Sequence, residues 1–155
     1  ELYVETPLID SINKTNDLQI QRAINLLHKY CNKKLGFLGL SFKAGTDDLR
    51  NSPSVILVKI LLEKNYDITI YDKNVNLALL VGTNKEYINS QIPHLTTLLS
   101  RNPVELISNS DVIIINTNEP EFIRLVENIN DKIIIDFVRL KESLLLKKNY
   151  IGINW

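Results

Sequence analysis

The strongest constraint on the fold is an alternation of short apolar runs with helical patterns after residue 33. Four runs of strand length are rich in apolar residues, at 35–40, 67–71, 111–116 and 132–137. Such runs are typical of strands that are covered on both faces of a sheet. Helical patterns lie at 53–64, 75–81, 103–109 and about 120–129, and a last short strand is predicted at 150–153.

Strands that alternate with helices form parallel sheets, because each right-handed crossover returns the chain to the same end of the sheet. We therefore predict an α/β fold for residues 33–155, with a Rossmann-like parallel sheet flanked by helices. The helix at 53–64 is apolar nearly all round, so we expect it to be buried against the sheet. Ser52 is expected to cap its start.

A long helix is predicted to precede this domain. Pro7 suits the first position of a helix, because its missing N–H would be unpaired there anyway. Apolar residues then recur at helical spacing, around a polar stretch at 13–17. This stretch either breaks the helix in two or faces solvent or a ligand on one long helix. A continuous helix over residues 7–31 would be about 37 Å long, more than a compact domain needs. We therefore assign residues 1–32 to a connector that contacts a missing region or a second subunit, and 33–155 to the globular domain.

Composition argues against several classes of function. The 18 basic and 18 acidic residues balance, so we expect neither nucleic acid nor an anionic membrane as a partner. No apolar run approaches the roughly 18 residues of a membrane-spanning helix, and no signal peptide opens the chain, so a cytoplasmic location is predicted. Cys31 is the single cysteine, which excludes a disulfide framework within the chain. Because the chain starts at Glu1 and contains no methionine, we expect a fragment of a longer protein.

The segment after the first predicted strand is the best candidate for a ligand site. Ligands of open parallel sheets bind beyond the carboxyl ends of the strands. This segment, residues 41–53, is longer than the usual connection of about 2–6 residues. It carries two cations, Lys43 and Arg50, and leads into a helix N-terminus, where an anion is favoured. A phosphorylated ligand explains these features, and a solvated polar loop with internal ion pairs explains them equally well.

Other positions give weaker signals. The glycines at 36, 39 and 45 do not form G-x-G-x-x-G, so standard dinucleotide binding is not expected. Asp72 ends the second strand, where it either accepts from a ribose hydroxyl or, in the simpler interpretation, forms a turn. Residues 117–120 are expected to cap the next helix, with ligand contact as the second possibility.

The two histidines and the cysteine are assigned structural roles. Cys31 has only His28 near it in sequence as a base, and His94 follows a proline in a predicted loop. A catalytic thiol needs an activating environment, and a metal needs several ligands at suitable spacing. We therefore predict no metal site.

Residues 39–53 carry a specific motif. They read GLSFKAGTDDLRNSP and match every fixed position of the pattern G-x-x-F-K-x-x-T-x-D-x-R-x-S-P. The chain thereby resembles the C-terminal domain of the UDP-glucose/GDP-mannose dehydrogenase family. Four further segments, at 70–74, 84–88, 92–95 and 152–155, resemble the GDP-mannose branch of that family, and the similarity covers nearly the whole chain.

The resemblance implies part of an enzyme. Family members oxidise the C6 hydroxyl of a nucleotide sugar to a carboxylate in two NAD-dependent steps, through a thiohemiacetal on a cysteine. By resemblance, Phe42 and Lys43 would contact the nucleotide sugar, with GDP-mannose favoured, and Arg50 would reach the NAD pyrophosphate from the opposing domain. Arg139 is a weaker substrate candidate. Residues 7–31 would belong to the region that carries the family's dimer contact, so a homodimer is expected.

The family's NAD-binding domain and cysteine segment are absent from these 155 residues, and Cys31 does not sit in the family's cysteine context. We therefore expect no catalytic residue here, an NAD cofactor bound mainly by a missing domain, and no turnover by this chain alone. A UDP-glucose-type dehydrogenase domain is an alternative. A stand-alone α/β interaction module that binds no nucleotide is another, although the absence of a methionine counts against it.

Overall fold

The computed structural model describes residues 7–81, 92 and 95–153, and it confirms the predicted fold. Five parallel strands form one sheet in the order β2-β1-β3-β4-β5. The strands are β1 (Lys34–Leu38), β2 (Asp67–Tyr71), β3 (Val112–Ile115), β4 (Ile133–Asp136) and β5 (Tyr150–Gly152). The helices are α1 (Pro7–Leu27), α2 (Pro53–Glu63), α3 (Lys73–Val81), α4 (Leu95–Leu98), α5 (Pro103–Asn109) and α6 (Pro120–Val126).

Helices cover both faces of the sheet, which explains why its central strands are apolar throughout. Alternate residues of β3 point to opposite faces: Val112 and Ile114 join one apolar cluster, while Ile113 and Ile115 join the other. The first cluster includes side chains of α1 to α4, and the second includes those of α5 and α6. The result is a three-layer domain with a fully covered sheet.

Helix α1 is continuous, so the polar stretch at 13–17 does not break it. A short 3₁₀ turn, His28–Tyr30, follows it. Among the α1 side chains that the structure describes, Ala23 and Leu27 are buried beside α2, while residues 11–18 are exposed. Within the described ranges, no helix combines the length and the apolar character needed to cross a membrane.

Helix α2 begins and ends close to the predicted residues, but the prediction that Ser52 caps its start is wrong. Ser52 occupies the N-cap position and Pro53 the first turn, yet the Ser52 side chain does not cap the helix. Asn65 ends the helix with a φ of 61°, and its N–H donates to the Leu62 carbonyl at 2.9 Å. Two short elements were not predicted: α4 and a 3₁₀ turn, Glu142–Leu146.

Some sequence predictions lie outside the described residues. They concern His94, the segment at 84–88 and the last two residues of the segment at 152–155.

Candidate functional site

The candidate site lies at the carboxyl edge of the sheet, between β1 and β3. The crossover after β1 leads to β2, on one side, and the crossover after β3 leads to β4, on the other. The chain therefore diverges at this point, which is where open α/β sheets bind ligands.

The connection from β1 to α2, residues 39–52, is called the β1–α2 loop below. It is closed by hydrogen bonds of its own. The Phe42 N–H donates to the Asp48 carbonyl at 2.8 Å, and the Thr46 hydroxyl donates to the Lys43 carbonyl at 3.1 Å. These bonds give the loop a defined shape without any ligand.

Asp72 fastens the start of this loop to the sheet. Its carboxylate is 3% exposed. One oxygen accepts from the N–H groups of Leu40 and Ser41, both at 2.9 Å. The other accepts from the N–H groups of Asn74 at 3.0 Å and Val75 at 3.1 Å, at the first turn of α3. Backbone donors thus occupy both oxygens, so the simpler interpretation of Asp72 as a turn-forming residue explains its contacts.

Two further side chains hold the loop. The Ser52 hydroxyl donates to the Leu40 carbonyl at 2.9 Å instead of capping α2. Glu119 accepts from the Gly45 N–H at 2.7 Å, across 74 residues of sequence. Glu119 is the N-cap residue of α6 but makes no side-chain cap bond, so the predicted capping by residues 117–120 is wrong. The segment instead ties the tip of the loop to the end of β3.

Gly39 permits a close approach between the first and third strand ends. Its φ is 92°, a conformation that residues with a side chain rarely adopt. A Cβ at this position would also collide with the side chain of Thr117. The motif glycine therefore serves backbone packing, and no pyrophosphate is needed to explain it.

The loop presents Phe42 at the edge of a cleft. This large apolar side chain is 56% exposed. The adjoining cleft has a volume of about 290 Å³ and is lined by residues from α1, the start of α2 and the ends of β3, β4 and β5. A second cleft of about 240 Å³ is lined by Gly45 of the loop and by four charged residues, the acidic Asp72, Glu119 and Glu121 and the basic Lys73. Phe42 borders only the first, mainly apolar cleft.

The two loop cations have different surroundings. Arg50 forms a two-pronged ion pair with Asp48, at 2.9 Å from Nε and 2.8 Å from Nη2. The hydrogen bonds from Arg50 lower the pKa of Asp48 from 3.8 to about 2. Lys43 is exposed, and within residues 7–81, 92 and 95–153 no carboxylate lies within ion-pair distance of it. The polar-loop interpretation therefore accounts for Arg50. The Lys43 side chain forms no ion pair within the same described residues, although its charge contributes to the lowered pKa of Asp48.

Arg139 follows β4 in a tight loop. Its φ is 54°, and its guanidinium contacts Glu142 at 3.1 Å. The loop is organised by Asp136, which is fully buried and accepts from the N–H groups of Val138 at 2.7 Å and Leu140 at 2.6 Å. Burial, followed by the hydrogen bond to Asp136, raises the pKa of Tyr150, whose hydroxyl donates to the same carboxylate.

Cys31 and His28, which are assigned structural roles from the sequence, lie close together in the chain at the end of α1. Cys31 is exposed and unpaired by any disulfide, and His28 lies in the 3₁₀ turn before it. Within the part of the chain that the structure describes, no three His, Cys, Asp or Glu side chains lie together so that they could hold a metal ion.

Sequence reasoning missed three residues that matter for the geometry. Gln19 and Asn116 line the first cleft. Gln19 lies beyond the polar stretch at 13–17, and Asn116 ends a strand whose sequence pattern is otherwise apolar. Asp136 also went unmarked, although its position at a strand end is the same as that of Asp72.

A parallel sheet covered on both faces, with a long loop at its switch point, defines a Rossmann-like α/β domain. Residues 36–142 match the model of the UDP-glucose/GDP-mannose dehydrogenase family, UDP binding domain. The chain belongs to this family, and the resemblance seen in its sequence is confirmed.

Individual relatives agree with this assignment. GDP-mannose 6-dehydrogenase of Pseudomonas aeruginosa is 42% identical over 89% of this chain and 32% of the relative. The Pseudomonas putida enzyme of the same name is 46% identical over 78% of the chain and 28% of the relative. A solved ternary complex of GDP-mannose dehydrogenase from P. aeruginosa superimposes with a TM-score of 0.88 at 40% identity, covering 98% of this chain and 35% of that one. The chain thus spans about a third of the length of the relatives it matches.

Proposed function

We propose that this chain is the nucleotide-sugar-binding domain of an NAD-dependent 6-dehydrogenase of the GDP-mannose type. The observation that carries the proposal is the placement of exposed Lys43 next to Phe42, beside a cleft at the switch point of the sheet. A cation that forms no ion pair within the described residues, and that follows a cleft-lining aromatic residue in sequence, suits a ligand with a phosphate and an apolar or aromatic part. Relatives favour GDP-mannose over UDP-glucose, since a UDP-glucose 6-dehydrogenase of Rickettsia conorii is only 28% identical.

The motif residues divide into two groups under this proposal. Gly39, Thr46, Asp48 and Ser52 shape the β1–α2 loop through the contacts described above. Phe42 and Lys43 are the substrate-binding residues that this shape presents. The spacing of the motif then reflects one requirement, a rigid loop that holds one aromatic and one cationic side chain outward.

The cofactor of the whole enzyme is proposed to be NAD. The chain lacks the glycine fingerprint that would hold a dinucleotide, so another domain would bind most of it. Arg50 is 71% exposed at its side chain and would face an anionic group from that domain, with Asp48 fixing the orientation of its guanidinium. NAD supplies hydride acceptance when bound, and no residue here is assigned to that chemistry. We expect no NAD-dependent oxidation of GDP-mannose by these 155 residues, and an absorbance increase from NADH would contradict this.

Substrate binding can be tested directly on this 17.8 kDa chain. Nitrogen-15 NMR titrations with GDP-mannose and UDP-glucose would give dissociation constants, expected at about 0.1–1 mM for GDP-mannose because only half of a cleft is present. The variant Lys43→Gln is expected to weaken binding at least tenfold, since charge-assisted bonds to phosphate are strong. Lys64→Gln is the matched control, because Lys64 is exposed beyond the end of α2, away from this edge.

The outcomes separate the alternatives. Preference for GDP-mannose that Lys43→Gln removes supports the proposal. Preference for UDP-glucose assigns the chain to the sister branch. Absence of any shift with both ligands up to about 10 mM contradicts the proposal and favours an interaction module.

Homodimer formation is part of the same proposal. Leu8, Ile12 and Leu18 expose 76%, 53% and 63% of their surface on α1. Apolar side chains in that number on one helix favour burial against a partner. Sedimentation of a monomer at tens of micromolar would contradict self-association. The cytoplasmic location stays a prediction.

A further inference from the structure

The tip of the β1–α2 loop, residues 43–47, is tied to the rest of the domain by one hydrogen bond. Among the described residues, the only hydrogen bond from this tip to a residue outside the loop runs from the Gly45 N–H to the Glu119 carboxylate, at 2.7 Å. A Cβ on Gly45 would meet no atom within 4 Å, so packing at this point does not replace the bond. Lys43 lies at the start of the tip, and its position therefore depends on Glu119.

Glu119 makes this bond in place of a local one. Helices α5 and α6 both begin with a proline in the first turn, after the N-cap residues Asn102 and Glu119. The Asn102 side chain accepts from the N–H groups of Val104 and Glu105, as short polar side chains do at this position. The Glu119 side chain caps nothing, and its carboxylate reaches the loop instead. The start of α6 is therefore better suited to holding the loop than to capping its own helix.

The connection that carries Glu119 is itself held in place. On one side, Thr117 is 4% exposed and lies so close to Gly39 that a Cβ there would collide with its side chain. On the other side, Pro120 favours an extended backbone for the residue before it, and Glu119 has a φ of −95° and a ψ of 132°. Glu119 therefore reaches the loop from a fixed support.

Hydrogen bonds within the loop carry this restraint to Lys43. The Lys43 carbonyl accepts from the hydroxyls of Ser41 at 3.2 Å and Thr46 at 3.1 Å. The Thr46 hydroxyl also accepts from the Asp48 N–H, at 3.4 Å. These bonds join the residues around Gly45 into one unit, so a restraint on the Gly45 N–H also restrains the backbone of Lys43.

We propose that Glu119 is a positioning residue for Lys43. It holds the β1–α2 loop in the conformation that presents the Lys43 ammonium to the phosphate groups of the nucleotide sugar, and it makes no contact with the ligand itself. This inference rests on the proposed function. A loop that adopts its binding conformation for only a fraction of the time binds its ligand more weakly by that fraction. The bond from Glu119 thus raises affinity by ordering the loop before the ligand arrives.

Two substitutions of Glu119 separate positioning from stability. Glu119→Asp shortens the side chain by one carbon–carbon bond, about 1.5 Å, which takes the carboxylate out of reach of the Gly45 N–H but provides a good N-cap for α6. We expect about three- to tenfold weaker GDP-mannose binding in nitrogen-15 NMR titrations, the effect of losing one hydrogen bond. The unfolding temperature should equal or exceed that of the unmodified chain. Glu119→Gln keeps the length and an acceptor oxygen, so its binding should stay within about twofold of the unmodified chain.

Two further variants test where the effect comes from. Glu105→Asp is the matched control, because Glu105 is exposed in the first turn of α5 and lies outside the loop, and its binding should be unchanged. Action through Lys43 is tested in the Lys43→Gln background, where Glu119→Asp should weaken GDP-mannose binding no further.

The outcomes distinguish this inference from the proposed function. Unchanged GDP-mannose binding in Glu119→Asp would overturn the inference and leave the proposed function standing. Equal weakening by Glu119→Gln, a lower unfolding temperature that accompanies the weaker binding, or a further loss in the Lys43→Gln background would do the same. Failure of the unmodified chain to bind GDP-mannose would overturn both.

Discussion

Two loops at the carboxyl edge of the sheet are each organised by a buried aspartate, and the two aspartates differ in the groups that donate hydrogen bonds to them. Among the described residues, Asp72 accepts hydrogen bonds only from backbone N–H groups, two at the start of the β1–α2 loop and two at the start of α3. Asp136 accepts from the N–H groups of Val138 and Leu140 and also from the hydroxyl of Tyr150. Asp72 therefore joins a loop to a helix, whereas Asp136 also joins two neighbouring strands.

An aspartate at the end of a strand can be explained by the backbone of the loop that follows. A chain that turns away from a sheet leaves backbone N–H groups without partners, and a buried carboxylate satisfies several of them at once. Neither Asp72 nor Asp136 needs a ligand to explain its position. Their loops nevertheless supply the site: the first carries Phe42 and Lys43, and the second places Phe137 beside the cleft.

The largest effect is expected at Asp136. Substitution Asp136→Asn should lower the free energy of unfolding by about 3–5 kcal/mol, because an amide group would meet donors where a carboxylate accepted them. Urea unfolding measures the change. Asp131→Asn is the control, since Asp131 is exposed before β4. A loss no larger than that of the control would show that the backbone of this loop holds without the carboxylate.

Asp72→Asn is expected to cost less stability, about 2–3 kcal/mol, because its donors lie in the β1–α2 loop and the first turn of α3, whereas Asp136 also holds Tyr150 of β5. Its effect on the site should be larger than that of Asp136→Asn. We expect amide chemical-shift changes throughout residues 39–52 and weaker nucleotide-sugar binding, both measured by the titrations proposed above. Asp136→Asn measured under the same conditions is the comparison. Should Asp72→Asn leave the spectrum of the β1–α2 loop unchanged, the distinction between the two aspartates would fail.

Tyr150 tests what Asp136 does beyond its loop. Tyr150→Phe should lower the free energy of unfolding by about 1.5–2 kcal/mol, the lower part of the range for one hydrogen bond to a carboxylate. The pKa of Tyr150 is raised above 10 by burial and by Asp136, so the folded state keeps the phenol neutral. Its stabilisation is complete below pH 10 and is lost as the pH rises further. The difference between the two proteins should therefore shrink above pH 10, and a constant difference would contradict the coupling.

The sequence predicted the sheet, the order of elements and the loop because apolar runs and long connections have direct physical causes. It could not predict how the loop is held. The bond from Glu119 to Gly45 joins positions 74 residues apart, and no local pattern carries that information. Gln19 escaped notice for a related reason: a glutamine on a helix is ordinary until the fold places it against an apolar cleft without a partner.

The smallest effect is expected at Asp48, which extends the comparison to an exposed aspartate. Asp48 accepts a hydrogen bond from the backbone N–H of Arg50 at 2.9 Å, just as Asp72 and Asp136 accept from backbone N–H groups. Its ion pair with the Arg50 side chain, however, is exposed to solvent. Its pKa is lowered to about 2 from 3.8, so the stabilisation is present above 3.8 and is lost as the pH falls through 2. Arg50→Gln should therefore be slightly less stable than the unmodified chain at neutral pH and equal to it near pH 2, by urea unfolding. Arg124→Gln, on the exposed face of α6, should show no such convergence. Parallel curves for Arg50→Gln down to pH 2 would show that this pair, unlike the buried carboxylates, contributes nothing to the folded loop.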